Sequence, residues 1–249
     1  MDQGEMGTPG GFPATRHSII QRIRDDNPDT RRAAFGDVVE GYWKPVYKHL
    51  RVTWRLDADE ARDLTQGFFT EAFEKAWLER FEPGKARFRT FVRVCADRFV
   101  MNARQARSRL KRGGGAHSIP LDFEGADREL LQHQSIPSGA DEFFHQEFIR
   151  ALFERALAAL RATYVSSGRA THYTLFERYD IAPDEGVSYA SLAAEFGLTP
   201  TQVTNHLAQV RRAFRARALD ALRGLCGTDD EFNREAREIF GVDVTRTEP

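Results

Sequence analysis

Residues 188–207 read Ser188-Tyr-Ala-Ser-Leu-Ala-Ala-Glu-Phe-Gly-Leu-Thr-Pro-Thr-Gln-Val-Thr-Asn-His-Leu207, and their spacing decides the fold class. Tyr189, Leu192, Ala193 and Phe196 recur at three- and four-residue intervals, the period of an amphipathic helix. Gly197 supplies the positive φ that a tight turn demands, and Leu198 plugs the core between two helices. Thr199 is an N-cap, and Pro200 suits the first helical position. Val203, Leu207, Val210 and Phe214 then bury one face of a second helix. The pattern predicts a helix-turn-helix. Thr199, Thr201, Gln202, Thr204, Asn205, Gln209, Arg211, Arg212 and Arg215 are left for the outer side and the helix start. Amides and hydroxyls there suit base edges in a major groove, and arginines suit phosphates. A helical hairpin with a merely solvated polar face is the plainer alternative.

The same helical period extends outward in both directions. Val38, Val39, Tyr42 and Trp43 form one stripe, and Pro45 bends that helix or opens its continuation through Leu50. Asp57 to Glu60 starts another helix, which carries Leu64, Phe68 and Ala72 and is extended by Phe69, Phe73 and Trp77 until Glu82-Pro83-Gly84 breaks it. A further helix is expected from Lys85 to Arg112. No strand-like alternation persists, so the fold class is all-α: two small helical domains joined by a linker, the second a helix-turn-helix domain. The expected organisation is a disordered arm over residues 1–17 and a helical domain over 18–112. A linker over 113–140, a second domain over 141–226 and an acidic extension over 227–249 follow. Phe232, Ala236, Ile239 and Phe240 give that extension one apolar helix face, suited to packing on the second domain.

Charge is segregated along the chain. The formal net charge is −1, which hides the footprint of a nucleic-acid binder. Residues 85–112 hold ten cations (Lys85, Arg87, Arg89, Arg93, Arg98, Arg104, Arg107, Arg109, Lys111 and Arg112) against Asp97 alone, with Phe88, Phe91 and Phe99 interleaved. Such a helix suits backbone phosphates and stacked or unstacked bases, and Asn102 offers polar contacts beside Arg98 and Arg104. The acids gather in the linker and the tail, where they balance the basic stripes and could shield them.

Other classes find little footing. The seven histidines form no HExxH or other metal spacing, and there is no P-loop and no GxSxG, so no catalytic residue, metal or cofactor is expected. Cys95 and Cys226 stand in no CxxC and read as reduced thiols of a cytoplasmic protein. The Gly- and Pro-rich start lacks the apolar core of a signal peptide, and no run approaches the ~20 apolar residues of a membrane span.

Three runs in order carry a family resemblance. Tyr42-Trp-x-Pro45-Val-Tyr47 precedes Asp59-Glu60-Ala-Arg-Asp63-Leu-Thr-Gln66-Gly-Phe-Phe69-Thr-Glu71, and Arg87-Phe-Arg-Thr-Phe91-Val-Arg opens the basic helix. These resemble region 2 of the sigma-70 superfamily. The run from Gly84 to Phe91, with Lys111-Arg-Gly-Gly-Gly115, is similar to a subgroup of extracytoplasmic-function sigma factors. Residues 188–217 look like region 4, so the resemblance spans about residues 18–223. It implies core RNA polymerase and promoter DNA as partners. Asp63, Gln66 and Phe69 would bind the β′ clamp helices, and Lys85 to Arg112 would read and melt the −10 element. The helix-turn-helix would read the −35 element and bind the β flap. An anti-sigma factor is a further candidate partner. The second helix of the motif is more polar and less basic than is usual in that family. The alternative is a free-standing helix-turn-helix regulator whose N-terminal helices serve as an effector or oligomerisation domain.

Overall fold

The computed structural model describes residues 18–109, 120–133, 137 and 139–242, with only the backbone for 107–109. Among the described residues there are ten α-helices and no strand, so the protein is all-α. They are α1 (Ile19–Ile23), α2 (Pro28–Thr53), α3 (Ala58–Glu74), α4 (Phe88–Arg109), α5 (Phe123–Leu131), α6 (Ala140–Ser166), α7 (Ala170–Phe176), α8 (Tyr189–Phe196), α9 (Pro200–Arg223) and α10 (Asp229–Phe240). The expected arm over residues 1–17 lies outside the described residues.

Local chemistry sets most helix starts. Ser18 and Gln21 form a capping box on α1, Asn27 caps α2 ahead of Pro28, and Asp57 accepts from the Glu60 N–H at the start of α3. Pro45 does not end α2, which runs on to Thr53 with Pro45 buried. α3 departs from expectation. It ends at Glu74, and Ala76 takes a left-handed conformation (φ 49°) before a 3-10 turn, Trp77–Arg80. That reversal folds Trp77 back beneath the bundle, 6.2 Å from Phe68 and 6.1 Å from Phe99 between ring centroids. Tertiary aromatic packing outweighs the helical period there.

The segment read as a linker contains α5, whose Phe123 wedges against Trp43 and Tyr47 of α2. α6 packs along α2. Their contact encloses an ionic network: Lys48, 1% exposed, donates to Glu147 at 2.7 Å and to Glu129 at 2.6 Å, while Lys44 donates to Glu129 and Glu154 at 2.6 Å each. A second, part-buried knot joins α2 to α4. Asp97 accepts from Trp54 Nε1 and meets His49 Nε2, both at 2.7 Å, and pairs with Arg93. Burial alone would raise the Asp97 carboxyl. The His49 and Trp54 hydrogen bonds, with the charges of His49 and Arg93, outweigh burial and hold it below its ordinary range.

The apolar core forms two clusters. The larger takes α1 to α5, the first half of α6, the end of α9 and α10, and the smaller takes the end of α6, α7, α8 and the first part of α9. α6 and α9 therefore run through both and fix one cluster against the other. α10 forms with the expected apolar face and packs as expected on the second domain, against the end of α9 and Phe153 of α6. Phe232 and Ala236 enter the larger cluster with Leu219 and Leu222 of α9. Its acidic side also pairs with the start of α4. No helix among the described residues is long and apolar enough to cross a membrane.

Candidate nucleic-acid interface

The helix-turn-helix is built as its residues dictate. A Ser188–Ser191 capping box starts α8, and Gly197 closes it at φ 63°. The Leu198 N–H returns to the Ala193 carbonyl at 2.9 Å. Thr199 and Gln202 form a capping box on α9, with the Thr199 N–H on Gln202 Oε1 at 2.8 Å and the Gln202 N–H on Thr199 Oγ1 at 3.2 Å. Leu192, Ala193, Val203, Leu207 and Val210 are buried between the helices, and Phe196 and Leu198 are half-buried.

The opposite side of α9 is open. Thr201, Gln202, Thr204, Asn205, Gln209, Arg211, Arg212 and Arg215 are all exposed along about four turns of one helix. Some are already engaged. Gln202 uses its carbonyl oxygen in the capping box, and Thr204 Oγ1 donates to the Pro200 carbonyl at 3.0 Å. Arg211 makes two hydrogen bonds to Asp180, at 2.8 and 3.0 Å, and lies over the Tyr179 ring. Arg211 thus braces α9 against the turn after α7. His206, between the polar positions, meets His172 of α7 with ring centroids 3.8 Å apart.

α4 presents a different surface. A cleft of about 550 Å3 opens between its start and the 3-10 turn, lined by Trp77, Phe81, Phe91, Phe99 and Cys95. Arg80, Lys85, Arg98 and Asn102 stand around it. The volume is that of a small-molecule site, and the lining is aromatic below and cationic above. Burial pushes the Cys95 thiol up to about 11, so it is an inert wall of the cleft. The sequence reading placed Lys85, Arg98 and Asn102 together but missed Trp77 and Arg80. The left-handed turn at Ala76 that brings them in has no glycine to announce it.

Other expected contacts are distributed differently. Arg104 stacks on the Trp54 ring at 5.1 Å and donates to the Trp54 carbonyl at 3.2 Å. Arg87 and Arg89 are covered by α10: Glu235 Oε1 accepts from Arg87 at 3.1 Å and from Arg89 at 2.9 Å, and Glu238 accepts from Arg87 at 2.6 Å. The side chains of Arg107 and Arg109, and all of Lys111 and Arg112, lie outside the described residues. On α3, Asp63 is exposed and Gln66 half-buried, but Phe69 is 1% exposed, packed against Phe68 and Phe35, and offers little surface to a partner. The outward aromatic of α3 is Phe73, 50% exposed and seven residues beyond Gln66 on the same side. It borders an apolar groove of about 660 Å3 shared with Phe35, Val39 and Trp43.

Among the described residues no cluster of three or more His, Cys, Asp or Glu side chains could hold a metal ion. Fold and surfaces together define a helical protein with a capped helix-turn-helix and a separate aromatic, cation-rimmed cleft. In comparison with known proteins, no family model and no curated protein matches the chain.

Proposed function

We propose that the chain is a transcription initiation factor that binds core RNA polymerase and brings it to promoter DNA. α9 reads duplex bases of a −35 element with Thr201, Asn205 and Gln209 and grips phosphates with Arg212 and Arg215. The α4 cleft takes an unstacked base of the −10 element against Trp77, Phe91 and Phe99, with Arg80, Arg98 and Asn102 on the strand beside it. Melting is driven by binding energy, since the exposed base and its phosphates are held better than the closed duplex. The outer side of α3, with Asp63, Gln66 and Phe73, is the polymerase-facing surface. Phe69 supports it from within.

The observation that carries this reading is the presence of both surfaces in one chain. A duplex reader needs only the α9 face, whereas the aromatic cleft suits a base already out of its stack. The alternative, a free-standing helix-turn-helix regulator, uses the same α9 face and draws support from the cover that α10 puts over Arg87 and Arg89.

The test is reconstitution with purified core bacterial RNA polymerase, followed by size-exclusion chromatography. The expected result is co-elution that is lost in the Asp63→Ala/Gln66→Ala/Phe73→Ala variant. Duplex binding without co-elution overturns the initiation-factor reading in favour of the free-standing regulator.

A further inference from the structure

We propose that α10 is an intramolecular stand-in for nucleic acid: Glu235 and Glu238 occupy the phosphate positions of Arg87 and Arg89, and release of this acidic turn uncovers two cationic contacts at the start of α4. The inference rests on the DNA-binding reading above.

The chemistry of the contact is that of a phosphate site. Arg87 and Arg89 stand just before and within the first turn of α4, the end where the helix dipole disfavours cations. They do not stabilise α4 by themselves and call for an anion beside them. α10 supplies it three times. Glu231 accepts the Phe88 N–H at 2.6 Å, on the backbone donor where a helix N-terminus binds anions. Glu235 is shared by both guanidinium groups, and Glu238 takes Arg87. A guanidinium fork donates to carboxylate and phosphate oxygens in the same geometry.

α10 divides into an anchor and a mask. The anchor is its first turn and its apolar face. Thr228 caps it, Phe232 and Ala236 are buried in the core, and Glu231 also accepts the Gly227 N–H at 2.9 Å. Gly227 lies so close to Phe81 that a Cβ there would come within 2.4 Å of the ring. The mask is less complete. Glu238 is 42% exposed in its side chain, and Ile239 and Phe240 are only half-buried. Glu235 Oε2 and His145 Nε2 sit 3.9 Å apart, buried and with no hydrogen-bond partner among the described residues. His145 of α6 also faces Glu238 at 3.7 Å, so the mask meets both α4 and α6.

The test is fluorescence anisotropy with labelled single-stranded and duplex DNA across a salt series, using the full chain, a Glu235→Gln/Glu238→Gln variant and a Glu238→Lys variant. Glu238→Lys touches only the exposed rim and keeps the anchor, so it remains informative if the double variant unfolds. Two added phosphate contacts steepen the duplex salt slope by about 1.8, so between 50 and 200 mM salt the double variant loses about tenfold more affinity than the parent. It is also expected to bind more tightly at low salt. Adding Arg87→Gln/Arg89→Gln to the double variant returns the slope to the parent's. Unchanged affinity and slope in folded variants overturn the proposal, with parental DNA binding left intact. Absence of DNA binding in the parent and every variant overturns it together with the DNA-binding reading.

Discussion

Lys48 and Glu147 form an ion pair in which both side chains are 1% exposed, and it lies where α6 crosses α2. Replacing Lys48 with Met removes the cation and leaves the Glu147 carboxylate with Arg150, 45% exposed, and His133 for company. Breaking a buried pair costs about 3–5 kcal/mol, and the remaining neighbours place this case near about 3 kcal/mol. Glu147→Leu leaves Lys48 with Glu129 alone, and a similar cost of about 3 kcal/mol follows. In the double variant Lys48→Met/Glu147→Leu, neither desolvated charge remains and apolar groups fill the same space. It is expected within about 1 kcal/mol of the parent, where additivity would give a loss of about 6 kcal/mol. Equilibrium urea unfolding followed by circular dichroism reads this directly. With a slope of about 3 kcal/mol per M, each single variant lowers the midpoint by about 1 M and the double variant restores it. Single variants that cost less than about 1 kcal/mol, or a double variant at the additive sum, would refute the claim that this pair is a mutually dependent desolvated unit. The consequence reaches function, because α6 runs through both core clusters and sets the distance between the α4 cleft and the α9 face.

Three further outcomes are expected. Gly197→Ala should lower stability by about 1–2 kcal/mol from left-handed backbone strain alone, since no atom lies within 4 Å of the added Cβ; thermal unfolding checks this, and Gly197→Asn should cost less. The lowered Asp97 carboxyl gives stability that is fully present above the unfolded carboxylate pKa of about 3.9 and is lost as pH falls through the lower folded value. Asp97→Asn should therefore flatten the acid limb of the stability profile, and an unchanged limb would count against the His49–Asp97–Trp54 knot as its source. With its thiol pushed up to about 11, Cys95 should react with iodoacetamide at pH 8 more than about tenfold slower than free cysteine until urea exposes it; labelling at the free-cysteine rate would contradict the burial.

The helix-turn-helix was legible residue by residue because its signals are local. A capping box acts over three residues, a left-handed glycine over one, and the apolar period over two turns. The sequence alone therefore determined that α8 and α9 form, which of their residues are buried, and that Thr201, Asn205, Gln209 and Arg212 face outward. It likewise determined the all-helical class and the apolar face of α10. It read Phe69 and Phe73 alike as extending the apolar side of α3, whereas Phe69 is buried with Phe68 and Phe73 is half exposed. It could not reveal the cleft, because Trp77 and Arg80 reach it only through the left-handed Ala76. It raised a shielding of the basic stripes by the acidic tail, but not that Arg87 and Arg89 in particular lie beneath Glu235 and Glu238, some 150 residues away in the chain. Only the tertiary structure decides which charge in a balanced chain meets which. Ion pairing depends on distance in space and on burial, and residue spacing carries neither.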